Sequence, residues 1–240
     1  MTSSWVGAPP ASLLLQRSAL SSFSKAVPLP IITYGIIAVT VLVSYLCFEN
    51  RGLFERLKHS PYAERHHGEY YRLLTSGFVH GSWIHLGVNM FVLYFFGTFA
   101  ERAVTSGGSL GFGPTLGPVV YLGLYLVTIV VANLGTFISE ADNPGYGAIG
   151  ASGAVSGATT LFAVFLPWEL IYLYAVLPIP AIVAAVGFVL YSQYASRHNR
   201  DGIDHSAHLY GALAMPVIYA LFRPRLVSHF LEALTQNFPL

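Results

Sequence analysis

Two serines, Ser152 and Ser156, lie in the run GASGAVSGA at 150–158, followed directly by the apolar TTLFAVFL. A hydroxyl is a poor nucleophile until a base takes its proton. A neutral imidazole is the usual base, and the tetrahedral intermediate that follows needs donors aimed at its oxyanion. Two other stretches carry such groups. VHGSWIHLGVNM holds His80, His85 and Asn89, and DHSAHLYG holds Asp204, His205 and His208. His85 and Asn89 are four residues apart, as are Asp204 and His208, so each pair shares a helix face. The backbone N–H of a serine that opens a helix is a further donor. Together these groups make the set that acyl transfer requires.

Each group also has a reading without chemistry. Gly153 and Gly157 form a GxxxG, and Ser152 and Ser156 share a small-residue seam of the kind that packs helices. Asn89 alone could be helix–helix glue. His66, His67, His80, His198 and His229 read as residues at the ends of spans, bonded to backbone carbonyls or snorkelling to the interface.

The elements that would carry these groups follow from composition. Of 240 residues, 54% are hydrophobic and 10% are charged, where a soluble domain carries about a quarter. Charge this sparse, spread over long apolar runs, places most of the chain in lipid. A formal net charge of +1 gives no electrostatic case for a nucleic-acid partner. The single Cys47, inside an apolar run, excludes disulfides and cysteine metal sites.

The expected fold class is an all-α membrane protein with six spans at about 31–48, 84–100, 119–138, 150–166, 179–194 and 206–222. Each approaches the roughly 20 residues that cross a hydrocarbon core. Residues 1–29, with Arg17, Lys25 and no acid, form an N-terminal tail or a targeting segment. Residues 30–222 form the membrane domain, and 223–240 a C-terminal tail with a short surface helix. The polar stretch 49–81 reads as interfacial amphipathic helices. A glycine-rich loop ends near Pro118, and LPIP is a breaker before the fifth span.

Parity then brings the polar groups together. The second, fourth and sixth spans all enter from one side, and each carries its cluster in its first turns. Ser152, His85, Asn89 and His208 can therefore meet at one depth. Charge does not set the orientation: with the N-terminus inside, inner segments hold five Lys/Arg and outer segments seven, five of them in 49–81.

Other membrane chemistries fit less well. There is no HExxH pair for a zinc protease. The spacing of Asp204, His205 and His208 is unspecific for a metal, and no acid lies in mid-span for an aspartyl protease. No metal and no cofactor are expected.

With these residues in view, positions 30–222 resemble the rhomboid intramembrane serine proteases. GASG, Gly150 to Gly153, resembles the family's GxSG nucleophile motif. AHLYG, Ala207 to Gly211, resembles its AHxxG base motif. HLGVN, His85 to Asn89, resembles its HxxxN oxyanion motif, with His80 upstream. YYR, ending at Arg72, resembles the WR pair of the first loop, with Tyr71 in place of Trp. Two positions depart: Ser156 stands where some members pack a Tyr on the catalytic ring, and Met215 where many keep a Gly. The second departure predicts a looser approach of the fourth and sixth spans, or one moved to Ala212 and Ala214.

The resemblance implies a six-helix rhomboid-like bundle with an interfacial first loop. It implies a Ser–His dyad, Ser152 as nucleophile and His208 as general base, with His85, Asn89 and the Ser152 backbone lining the oxyanion site. Gly150, Gly153, Ala207, Gly211 and Arg72 would support the motifs, Asp204 would cap a loop or carry an interface charge, and the fifth span would be a lateral gate hinged at Pro178 and Pro180. Substrates would be transmembrane helices within the lipid bilayer, with the oligomeric state left open. The competing readings are a non-catalytic rhomboid-like protein that binds and steers transmembrane helices, and a proton-coupled carrier, which would place charged residues at mid-span. A bacterial inner membrane is expected because no further span precedes or follows the core, with the mitochondrial inner membrane as the alternative.

Overall fold

The structure is a computed structural model that describes residues 29–173, 176–198 and 202–236. The expected N-terminal tail therefore lies almost wholly outside the described residues.

The chain is mostly helical. Helix α1 (Ile31–Glu49) leads into three short helices, α2 (Arg51–Leu57), α3 (Pro61–His67) and α4 (Arg72–Thr75), and a 3₁₀ turn at Ser76–Phe78. Helix α5 (Trp83–Val92) continues through a π turn, Leu93–Gly97, into α6 (Thr98–Thr105). Then come α7 (Gly113–Ser139), α8 (Ser152–Phe165), the strands β1 (Leu170–Leu173) and β2 (Leu177–Pro180), and helices α9 (Ala181–His198), α10 (His205–Phe222) and α11 (Arg225–Gln236).

Three of these runs are long and apolar enough to cross a membrane: Ile31–Glu49, Trp83–Thr105 and Gly113–Ser139. Helix α8, of 14 residues, is a shorter apolar helix. Among the described residues, length and composition thus mark three candidate spans where six are expected.

The first helix turns polar side chains into the bundle and apolar ones outward. Helix α1 buries Thr33, Thr40 and Ser44 completely and presents Val39, Leu42 and Leu46 outward. Outward apolar side chains suit lipid, and polar ones turned inward find partners there. Thr40 donates to the Ile36 carbonyl at 2.7 Å. Glu101, 2% exposed, caps the start of α1 by accepting from the Ile32 and Thr33 amides at 3.0 and 2.7 Å and from the Thr33 hydroxyl at 2.7 Å. Glu101→Ala strips those donors of their partner inside the bundle. It is expected to cost roughly 2–4 kcal/mol, read as a fall in the thermal unfolding midpoint in detergent.

The π turn has a geometric use. At about 100° per residue, Asn89 and Glu101 would stand roughly 120° apart around an unbroken α-helix. The wider turn takes up most of that difference, and both residues face the interior.

Helix α8 is the central element. Eight of its 14 residues are buried, and it packs on both α7 and α10. Leu161, Ala158, Met215, Tyr121, Tyr125 and Leu93 lie in the core around it.

Three local expectations are corrected. The glycine-rich loop stops at Phe112, and α7 starts at Gly113 with Pro114 in its first turn, where a missing N–H costs nothing. LPIP is not a bare breaker: it is strand β2, antiparallel to β1 with Leu170 opposite Pro180, because proline is tolerated on an edge strand. The C-terminal helix is not wholly at the surface, since Leu226 and Ala233 are buried.

Candidate active site

Helix α8 begins with Ser152, and its hydroxyl oxygen lies 2.8 Å from His208 Nε2 on the first turn of α10. Both side chains are half-buried. What brings them together is the contact between their helices. A Cβ placed on Gly211 would fall 2.1 Å from the Gly153 carbonyl oxygen, and one on Gly157 would fall 2.7 Å from the Gly211 carbonyl oxygen. The backbones of α8 and α10 therefore touch one turn beyond the Ser–His contact. The expected loosening at Met215 is absent: Met215 is fully buried, beside Gly157, and the close approach stays at Gly153 and Gly211.

The two hydroxyls of GASGAVSGA part company. Ser156 donates back to the Ser152 carbonyl at 2.7 Å, a bond within its own helix. Of these two, only Ser152 meets an imidazole among the described residues.

Gly150 turns the chain into α8 with φ at +122°, a conformation that side-chain-bearing residues rarely adopt. His85 lies over it, within 3.0 Å of where a Cβ would stand. Asn89 is 6% exposed, and its amide donates to the His85 carbonyl at 3.0 Å. A cavity of about 530 Å³ opens here, lined by His85, Asn89, Gly150, Ser152, Asp204 and His208 among others. All four residues singled out for chemistry thus border one space.

Support comes from several elements. Asp204 caps α10 by accepting from the Ala207 amide at 2.8 Å, and its second oxygen accepts from the Thr136 hydroxyl at 2.8 Å. Arg72 holds the first loop: its guanidinium donates to the carbonyls of Glu55 and Lys58 at 2.6 and 3.1 Å and to the Glu69 carboxylate at 2.6 Å. His66, His198 and His229 each contact a backbone carbonyl, as expected.

His80 departs from the expectation of a residue at a span's edge. It is fully buried. Its Nδ1 lies 2.9 Å from the Ser44 hydroxyl, which itself donates to the Phe78 carbonyl, and its Nε2 accepts from the Ala151 amide at 3.4 Å. That pattern requires a neutral ring with its proton on Nδ1. Burial, with His85 adding to it, pushes the imidazole down to about 3. The unfolded chain would titrate near 6.5, so the unfolded state binds more protons between those values. Stability from this residue is full above about pH 6.5 and is lost as pH falls towards 3. Between pH 7.5 and about pH 5 the wild type is expected to lose roughly 2 kcal/mol more than His80→Gln, measured by thermal unfolding.

Sequence reasoning missed Phe188 on α9, whose ring centroid lies 5.8 Å from that of His208. It gives the His208 ring an aromatic neighbour that Ser156 does not provide. Nothing in the sequence marks it among the other apolar residues of its helix.

The family model described as the Rhomboid domain matches residues 67–225. Among curated proteins, the chain is 32% identical over 168 residues to RHOMBOID-like protein 12, mitochondrial, of Arabidopsis thaliana, covering 65% of this chain and 47% of that protein. It is 30% identical over 164 residues to Rhomboid-like protein 11, chloroplastic, of the same plant, covering 62% and 51%. The chain spans about half the length of the curated relatives it matches.

Proposed function

The chain belongs to the rhomboid family, and from that premise we propose that it is an intramembrane serine endopeptidase that cleaves transmembrane helices through an acyl-enzyme. The observation that carries the reading is the 2.8 Å contact between Ser152 Oγ and His208 Nε2 at the edge of the cavity.

The chemistry follows from the groups present. His208 Nε2 takes the Ser152 proton as the oxygen attacks the scissile carbonyl. The oxyanion that forms faces the Ser152 N–H, the Asn89 amide and His85. Collapse breaks the C–N bond, and the imidazolium returns its proton to the departing amine. Water, deprotonated by His208, then attacks the acyl ester and releases the second fragment with Ser152 restored. Asn89→Ala is expected to lower kcat by on the order of 10²–10³-fold with little change in KM, measured on a transmembrane peptide substrate.

We read the membrane domain as six crossings: α1, the α5–α6 pair, α7, α8, α9 and α10, with α2–α4 at the interface. Helix α9 packs on α8 and α10, and strand β2, with Pro178 and Pro180, precedes it. A gate at α9 would admit a substrate helix from the bilayer and move Phe188 off the His208 ring. The compartments printed in the relatives' names, mitochondrial and chloroplastic, belong to those proteins and lend no support to a bacterial membrane.

Both relatives are named rhomboid-like, so activity is the point to test. Purified protein in detergent is expected to react with a fluorescent fluorophosphonate, Ser156→Ala to react equally, and Ser152→Ala not to react. Folded wild type that fails to label beside an active relative would overturn the protease and favour a protein that binds and steers helices.

A further inference from the structure

Outside the cavity, one pair of titratable groups is wholly buried and has no part in the proposed chemistry. His59 and Glu64, both 0% exposed, meet in the first loop with His59 Nδ1 2.6 Å from Glu64 Oε1. The same carboxylate oxygen accepts from the Ser60 amide at 3.1 Å. Neither His59 Nε2 nor Glu64 Oε2 has a hydrogen-bond partner among the described residues. A buried hydrogen-bonded pair with half its capacity unused is a poor source of stability, and an apolar pair of similar volume often does as well or better. Its use has to be sought in geometry.

The geometry leads to the serine. The backbone of His59 pairs with Ala148 in both directions: the His59 amide donates to the Ala148 carbonyl at 3.0 Å, and the Ala148 amide donates to the His59 carbonyl at 3.1 Å. Two residues on, the Gly150 amide donates to the Ser76 carbonyl at 3.0 Å. Gly147 to Gly150 form one wall of the cavity, and Ser152 follows directly. That wall hangs from the first loop by these bonds. The turn at 58–60 is held on its other side by Arg72 on the Lys58 carbonyl and by Thr75 on the Leu57 carbonyl at 2.9 Å. Glu64 closes the turn by gathering His59 and Ser60 onto one oxygen.

We propose that the buried His59–Glu64 pair is a positioning element for Ser152: it fixes the turn from which the Gly147–Gly150 wall is hung, and so sets where the serine stands relative to His208. The role rests on the serine-protease reading. Displacement of a reacting group by an ångström or so costs up to about 100-fold in rate. The pair touches no reacting atom and acts through the Gly147–Gly150 segment.

The test uses Glu64→Gln, Glu64→Leu and the double variant His59→Phe with Glu64→Leu, compared with Thr33→Ala. Thr33 is tied to Glu101 and has no place in the site. Three quantities are read well below each melting midpoint: the rate constant for fluorophosphonate labelling of Ser152, the hydrogen-exchange rate of the Ala148 amide, and the midpoint itself. The double variant is expected to keep the wild-type midpoint, yet to label about 10- to 100-fold more slowly and to exchange Ala148 correspondingly faster. Thr33→Ala is expected to lose midpoint without moving either rate. Wild-type labelling and exchange in the Glu64 variants, whatever their midpoints, would overturn the proposal. Should Glu64→Leu fail to fold, the double variant and the isosteric Glu64→Gln carry the test. If wild type itself does not label, the protease reading falls separately, and unchanged Ala148 exchange in the double variant would still overturn the positioning role.

Discussion

His208→Ala is expected to abolish fluorophosphonate labelling and to lower peptide cleavage by on the order of 10⁴-fold or more, while leaving the protein folded. Two features of the site set that size. The imidazole lies 2.8 Å from the Ser152 oxygen, and no second base or acid among the described residues contacts that hydroxyl. Without His208 the serine attacks as a neutral alcohol, and the leaving amine departs without a proton. The ring is also half-buried and only tilts against Phe188 at 5.8 Å, so its loss removes little packing from the core. Rate and stability should therefore separate. The check is a pair of measurements on one preparation: labelling or cleavage rate, and thermal midpoint. A residual rate within about tenfold of wild type would mean that another group deprotonates Ser152. His85, which lines the cavity with Ser152, and His205, whose ring centroid lies 5.9 Å from that of His208, are the imidazoles to examine, and His205→Ala alone is expected to leave labelling intact.

The residues that border this cavity were more legible in the sequence than those that support them. Ser152, His85, Asn89 and His208 could be brought to one depth because helix periodicity and the parity of crossings are properties of the sequence itself. The motif around Ser152 also separates it from Ser156, and in the structure Ser152 contacts an imidazole while Ser156 bonds into its own helix. The π turn at 93–97 was not legible. It arises where Gly97 sits against Leu93, Thr33 and Tyr121, and an unbroken apolar run carries no signal of that phase change. The hairpin 170–180 was hidden for a similar reason, since short apolar runs do not tell strand from helix. Phe188, the His80–Ser44 contact and the His59–Ala148 bridge all join residues far apart in the chain, and neither local pattern nor composition reports such pairs. The sequence also led to an error of degree at Met215. It read a missing glycine as a looser seam, whereas Gly153 and Gly211 hold the seam closed one turn earlier.

That seam carries the second large effect. Gly211→Ala is expected to cost both fold and activity, because the new methyl would meet backbone and not a yielding side chain. Its Cβ would stand 2.1 Å from the Gly153 carbonyl oxygen, 2.5 Å from the carbonyl carbon and 2.8 Å from the Gly153 Cα. Contacts that short force α8 and α10 apart by about an ångström or more, at a typical overpacking cost of about 1–3 kcal/mol. Gly153 directly follows the serine, and Gly211 lies one turn past the histidine, so the separation falls on the Ser–His hydrogen bond itself. A shift of that size takes a 2.8 Å bond out of hydrogen-bond range, and activity should fall by roughly 100-fold or more in molecules that remain folded. Gly123→Ala on α7 is the matched control, since nothing lies within 4 Å of its added methyl, and it is expected to leave both midpoint and labelling rate at wild-type values. A Gly211→Ala protein that keeps its midpoint and its labelling rate would show that the two helices can slide past the added methyl. The spacing of nucleophile and base would then have to be held by the loops at the cavity mouth, not by the helix seam.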